Sequence, residues 1–284
     1  MRLCMFNDNR LGVVEAEGIR DVSSVLTSLP AQHYPLPTHD LLIAALPALR
    51  PEIEKAASTA PLLALAEVKL LSPVANPGKI VAAPVNYRKH LEEAIAEPET
   101  YSRAHVRQIQ ETGLFLKATS SLIGPSAGVR IRHPERRTDH EIELAVVIGK
   151  TCDRVRAAEA LDYVAGYSIG LDITVRGPEE RSLRKSIDTY TVLGPWLVTG
   201  DELSDPAGLD FELQVDGKTR QKANTRDLIL NVPELIEFAS GFYTLLPGDV
   251  ILTGTPEGVG PIEAGNVMSA RIDGIGEINV EVLA

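Results

Sequence analysis

The sequence predicts an α+β chain dominated by strands: a mixed β roll or barrel with peripheral helices, preceded by a small α+β unit. Three observations lead there. From residue 80 onward, short apolar runs bounded by turn residues recur, most of them too short for helices. The helical patterns among them are few, without the regular strand–helix alternation of a doubly wound sheet. The first 70 residues are punctuated differently, with Pro30, Pro35 and Pro37 between short segments. The boundary falls across Leu70-Leu71-Ser72-Pro73 and Asn76-Pro77-Gly78-Lys79. Residues 1–72 are expected to form the small N-terminal domain and residues 73–284 the main one.

Taken in order, residues 3–6 and 11–15 read as two strands about an Asn7-Asp8-Asn9-Arg10 turn. Helical patterns follow at 22–28 and 38–46, with a further helix at 52–57. In the main unit, strands are expected at 80–83, 114–117, 128–131, 141–148, 163–172, 196–199, 211–215, 250–253, 267–272 and 275–282. Helices are expected at 87–96, 157–161 and 232–242. Asp216-Gly217 and Asp273-Gly274 are hairpin-turn signals. There is no internal repeat or low-complexity tract.

Composition excludes several classes. The 284 residues are 44% hydrophobic and 24% charged, the make-up of an ordinary globular protein. Net charge is 28 − 39 = −11, which argues against a nucleic-acid partner. An anionic substrate would need local cations. Two distant cysteines, Cys4 and Cys152, support neither a disulfide framework nor a cysteine zinc site. The opening MRLCMFNDNR lacks the apolar stretch of a secretory signal, and no apolar run approaches the roughly 18 residues of a membrane span. A cytoplasmic protein with no membrane partner is expected.

The most informative stretch is Asp139-His140-Glu141-Ile142-Glu143-Leu144, which leads into a buried-type strand. Residues two apart on a strand share a face, so Glu141 and Glu143 project together. Carboxylates crowded in a sheltered site repel until one protonates or a cation joins them. A hard divalent ion with oxygen ligands answers this. Asp172, ending the apolar strand pattern before it, could supply a third ligand. The same pattern also suits a solvated strand edge with Asp172 capping a turn, and periodicity leaves both readings open.

On the helix expected at 87–96, His90 and Glu93 are i and i+3 and share a face. A carboxylate beside an imidazole orients it and raises its basicity, as a water-activating base requires. An ordinary exposed His–Glu pair has the same spacing. His33, His39, His105, His133 and His140 show no metal-ligand spacing. The loop Thr253-Gly254-Thr255-Pro256-Glu257-Gly258-Val259-Gly260 follows a strand and lets backbone approach a ligand closely, as would a tight turn. Gly149-Lys150-Thr151 is not a P-loop, because Leu144 stands where its first glycine belongs, and no G-x-G-x-x-G opens a helix. Arg176 and Lys185 are candidates for an anionic substrate, and equally ordinary surface cations.

Together these residues resemble the fumarylacetoacetate hydrolase family. The matching pieces are NYRKH-LEE (86–93), LFLK (114–117), the E-x-E strand ending in ELAVVIGK, GYSIGLDITVR (166–176), RKSIDTYTVLGPWLV (184–198) and LLPGDVILTGTPEGVG (245–260). Each is weak alone; six in family order are specific. The resemblance implies a distorted mixed β roll, with Mg²⁺ or Mn²⁺ at Glu141, Glu143 and Asp172. It implies that His90 and Glu93 form the water-activating dyad on a lid. It implies that Arg176, Lys185 and Thr255 contact the substrate's carboxylate or oxo group, with help from Lys117, and that the protein is a homodimer. The sequence departs from the family pattern at Val175-Arg176-Gly177, where Ala-Arg-Asp is common, and in a shorter stretch between Asp172 and Lys185. Both changes bear on the pocket rim. The long polar segment 97–113 is placed to shape specificity.

The implied chemistry is hydrolytic carbon–carbon cleavage of a 2,4-dioxo acid, an acylpyruvate-like compound, through an enolate stabilised by the ion. His90 and Glu93 would activate water, and Lys185 would stabilise developing negative charge. Decarboxylation of an oxaloacetate-type diacid, or isomerisation or tautomerisation of a hydroxymuconate-type diacid, could use the same site without the water. A non-catalytic binder that kept the fold is the remaining alternative, and the complete set of metal and dyad residues argues against it.

Overall fold

The computed structural model describes residues 1–16, 18–96 and 107–284. Of the polar segment 97–113, residues 97–106 lie outside the described residues. The architecture is mixed α+β and mostly strand. Its backbone is one long sheet path. In order across the sheet run Leu62–Leu63, Gly18–Asp21, Arg10–Glu15, Arg2–Phe6, Thr191–Thr199, Val164–Asp172, Ile142–Ile148, Val250–Leu252, Ile80–Ala82 and Phe115–Lys117, with Leu122–Ile123 beside Thr191–Thr199. Val250–Leu252 pairs in parallel with Ile80–Ala82, whereas Ile142–Ile148 pairs antiparallel with both its neighbours. The N-terminal strands belong to this same sheet, because Leu3 pairs opposite Leu197.

The sheet is covered on both faces, and the alternation of its strands decides with what. Leu144, Val146, Tyr167 and Ile169 face a second, five-stranded sheet through Phe211, Leu213, Ile272 and Ile278. Ala145, Val147, Leu193 and Leu197 face the helix Leu41–Ala57 through Ile43, Leu46, Leu49 and Ile53. A three-stranded ribbon of Thr174–Val175, Thr138–His140 and Gly260–Pro261 crosses one end of the large sheet. Among the described residues, no helix is long and apolar enough to cross a membrane.

Several elements differ from the sequence expectation. The helices expected at 38–46 and 52–57 are one helix, Leu41–Ala57, with Pro47 and Pro51 inside it. Asp40 caps it by accepting from the Ile43 amide at 3.0 Å, and the buried face of Ile43, Leu46, Leu49 and Ile53 holds it despite the prolines. The segments expected as helices at 22–28 and 157–161 are 3₁₀ turns. The strand expected at 196–199 begins at Thr191, running through Gly194 and Pro195. Lys218–Asn224 is a strand that apolar patterning does not reveal, because its sequence KTRQKAN is polar except for Ala223. The Asp216-Gly217 turn joins it to Asp210–Val215 with both turn residues at positive φ, as the hairpin signal requires.

Candidate metal and active site

The site lies where Ile142–Ile148 and Val164–Asp172 meet the crossing ribbon. Glu143 is paired opposite Gly170, and the Asp172 amide donates to the Glu141 carbonyl at 2.9 Å. This register puts Glu141, Glu143 and Asp172 on one face, and ligand atoms from the three lie within 4.8 Å of one another. All three are buried, so the solvated-edge alternative does not hold. They form the acidic cluster, among the described residues, suited to a metal ion.

Two lysines enter the cluster. Lys185 Nζ donates to Glu141 Oε2 at 2.6 Å, Asp172 Oδ2 at 2.7 Å and Thr174 Oγ1 at 2.6 Å. Lys117 Nζ reaches Asp172 Oδ1 and donates to the Tyr190 carbonyl at 2.9 Å. Burial pushes the Lys117 ammonium below its ordinary pKa, with Asp172 opposing. Burial alone would raise Glu141, but Lys185 and Arg176 pull it down to about 2. Glu143 fares differently. Burial first, and the charge of Asp172 second, push its carboxyl well above the usual range. Its Oε2 accepts the Gly254 amide at 2.6 Å. Three buried carboxylates share two ammonium groups, and Glu143, which neither ammonium contacts, is the one whose protonated form is favoured. Such a set of hard oxygen donors fits a divalent cation, which would replace that proton.

His90 and Glu93 meet as their spacing predicts, with Nδ1 and Glu93 Oε2 2.9 Å apart. A carboxylate accepts, so Nδ1 donates and Nε2 carries the lone pair of the neutral ring. The other Glu93 oxygen accepts the Gly258 amide at 2.8 Å. The loop expected to approach a ligand thus grips Glu143 of the acidic cluster through Gly254 and Glu93 beside His90 through Gly258. Both glycines adopt positive φ, and a Cβ on Gly254 would lie 2.7 Å from that of Asn86.

Arg176 and Thr255 are nearby but anchored within the protein. Arg176 Nε donates to Asp139 Oδ2 at 2.6 Å and Nη2 to Glu141 Oε1 at 3.1 Å. It orients Glu141 of the acidic cluster. Thr255 Oγ1 donates to the Ile142 carbonyl at 2.9 Å and accepts from Gln221 Nε2 at 2.8 Å.

Sequence reasoning gives no role to Gln221, Asn86 or Asp139, all fully buried. Gln221 Oε1 accepts from the Ile142 amide and from His140 Nδ1, each at 3.1 Å, while Nε2 donates to Thr255 and to the Pro256 carbonyl. One amide therefore ties the strand between the two metal-cluster glutamates to the glycine loop. Burial holds the His140 imidazole below its usual pKa, in keeping with a neutral ring. Asn86 donates to the Leu230 and Thr253 carbonyls at 2.9 and 2.8 Å and accepts the Leu230 amide, anchoring the base of the His90 helix to the same loop. Asp139 receives Arg137 and Arg176.

This fold and this site define a family. The profile described as fumarylacetoacetate (FAA) hydrolase C-terminal matches residues 79–283, and the chain belongs to the fumarylacetoacetate hydrolase family. It is similar to a maleylpyruvate hydrolase of Aquipseudomonas alcaligenes, 55% identical over 284 residues, covering 99% of each chain. It resembles the crystal structure of maleylpyruvate hydrolase from Sphingobium sp. SYK-6 in complex with manganese(II) ion and pyruvate, with a TM-score of 0.85 and 43% identity, covering 100% of this chain and 99% of that one. A 5-carboxymethyl-2-hydroxymuconate delta-isomerase from Mycobacterium smegmatis is more distant, at TM-score 0.72 and 32% identity, covering 100% of this chain and 99% of that one.

Proposed function

We propose that this chain is a divalent-metal hydrolase that cleaves the C3–C4 bond of an acylpyruvate, with maleylpyruvate as its leading substrate. The observation that carries the reading is an oriented His90–Glu93 pair held, through one loop, to the same structure as a buried three-carboxylate cluster. Similarity to maleylpyruvate hydrolases over the full chain supports the choice of substrate.

Glu141, Glu143 and Asp172 would hold Mg²⁺ or Mn²⁺. The bound cation supplies Lewis-acid stabilisation of charge on the substrate's C2 oxygen. His90 Nε2 takes a proton from water, and Glu93 stabilises the imidazolium that results. The water oxygen bonds to C4, and the C3–C4 electron pair moves toward the C2 oxygen. Lys185 and Lys117 add positive charge beside that oxygen. The proton held by His90 goes to C3, which completes pyruvate, and the acyl group leaves as its carboxylic acid. Arg176 and Thr255 act by fixing Glu141 and the Ile142 strand, with the loop backbone facing the substrate.

Isomerisation of a hydroxymuconate-type diacid needs no attacking water, so an oriented dyad favours hydrolysis. We place the protein in the cytoplasm, to be tested by fractionation of cells that express it, and as a homodimer, an assignment that rests on the family and is tested by light scattering on the purified protein. The functional test is pyruvate release from maleylpyruvate by Mg²⁺- or Mn²⁺-loaded protein, followed with lactate dehydrogenase and NADH. No pyruvate from any acylpyruvate tried would sink the reading.

A further inference from the structure

A 2,4-dioxo acid carries one carboxylate beside its 2-oxo group, and a diacid such as maleylpyruvate carries a second at the far end of its acyl arm. A charge brought into a sheltered pocket needs a partner of opposite sign. We propose that Arg181 reads this distal carboxylate and so sets a preference for dianionic over monoanionic acylpyruvates. The proposal rests on the hydrolase reading above and names the substrate class of that site.

The placement follows from the short helix Arg181–Lys185, which lies in the shortened stretch between Asp172 and Lys185. Residues i and i+4 share a helix face about 6 Å apart. Lys185 sends its ammonium to Glu141 and Asp172, so Arg181 leaves the same face one turn away. Both cations meet one ring: Arg181 Cζ is 5.5 Å and Lys185 Nζ 5.6 Å from the Phe115 centroid. Phe115 is two residues from Lys117 on its strand and shares its face. The ring is therefore a wall shared by Arg181 and by Lys185 of the inner cluster.

The spacing suits the substrate. Beyond the scissile bond, the two carbons of a cis double bond separate the C4 carbonyl from the far carboxylate, while one helical turn separates Arg181 from Lys185 on their shared face. A guanidinium over an aromatic ring is held in plane and keeps a planar fork of N–H groups matched to a carboxylate. Two neighbouring arginines brace the frame of the site. Arg176 holds Asp139 and Glu141, and Arg184 donates to the carbonyls of Glu179 and Val175 at 2.8 and 3.3 Å. Burial, then Arg184, lower the Arg181 pKa, while Glu180, Glu141 and Asp172 oppose. Arginine stays charged under such shifts, and two carboxylates of the metal cluster are close enough to act on it.

The test compares metal-loaded wild type, Arg181→Met and Arg181→Lys on maleylpyruvate and on acetylpyruvate, which lacks the second carboxylate. The expected result is that Arg181→Met lowers the diacid-to-monoacid ratio of kcat/KM about 10- to 100-fold, chiefly through KM, with Arg181→Lys between. Inhibition by maleate should weaken in parallel, and inhibition by oxalate, which probes the inner pocket, by no more than about threefold. Equal losses on both substrates, or an unchanged ratio, would overturn the assignment of Arg181 while wild-type turnover upholds the hydrolase. Wild type that releases pyruvate from neither compound would overturn the hydrolase reading and this proposal with it.

Discussion

Metal binding to this site should release a proton, and Glu143 should be its source. The cluster crowds three carboxylates within 4.8 Å, yet its two ammonium groups contact Glu141 and Asp172. Glu143 receives a backbone amide instead, and its carboxyl sits well above the usual range through burial and the charge of Asp172. A divalent cation takes the ionised form. Below the raised value, apparent affinity should therefore climb up to tenfold per pH unit, about 1.4 kcal/mol per unit for one proton. Stability of the metal-free chain runs the opposite way with pH. Glu143 titrates higher in the folded than in the unfolded chain, so its contribution is present at low pH and lost as pH rises through the folded value. Glu141, drawn down to about 2, contributes above the ordinary carboxylate range and loses that contribution as pH falls. Relative to Glu143→Gln, metal-free wild type should lose melting temperature as pH rises from the ordinary carboxylate range through the raised Glu143 value, and Mg²⁺ should restore it. Isothermal titration in two buffers of different ionisation enthalpy counts the protons directly. About one per ion is expected for wild type and none for Glu143→Gln. A count of zero for wild type, with affinity flat across that range, would refute the argument that Glu143 is the protonated member.

Three further outcomes are expected. His90→Ala should lower kcat for acylpyruvate hydrolysis by about 10²- to 10⁴-fold while titration still detects metal binding; full activity would remove His90 from the chemistry. Gln221→Leu leaves the buried Ile142 amide without its acceptor and Thr255 without its donor, so urea unfolding should show a loss of about 1–3 kcal/mol. An unchanged midpoint would mean that another group takes over those bonds. Gly254→Ala puts a side chain at φ +99° and 2.7 Å from Asn86 Cβ, at a cost of about 1–3 kcal/mol. It should also weaken metal affinity, because the same residue's amide holds Glu143; unchanged stability and affinity together would argue against both effects.

Period-two patterning was enough to put Glu141 and Glu143 on one face, because alternation in a strand is set by local geometry. It could not show that the face was buried. That depends on Asp172 arriving from a second strand in a register that sequence does not display, and on two lysines from separate segments. Helical spacing gave the His90–Glu93 pair for the same local reason. Arg176 was visible as a cation, but its engagement by Asp139 and Glu141 was not, since both lie across a pairing of strands. Gln221 was hidden twice: its strand is polar except for Ala223, and a glutamine carries no charge to draw notice. The patterns at 38–46 and 52–57 read as separate helices, whereas the burial of four apolar side chains on one face carries a single helix past Pro47 and Pro51. Short elements such as Arg181–Lys185 lack enough residues to show a period at all.

The anchoring of Glu93 and Glu143 on the amides of Gly258 and Gly254 bears on how the protein is made. Glu93 leaves the ribosome 165 residues before the amide that steadies it, and Glu143 111 residues before its own. The opening strand waits longer still, since Leu3 pairs opposite Leu197. A nascent chain can display the acidic residues but cannot arrange them until its last tenth has been translated. Premature termination should therefore yield an inert product, with no partially active fragment to compete for metal or substrate.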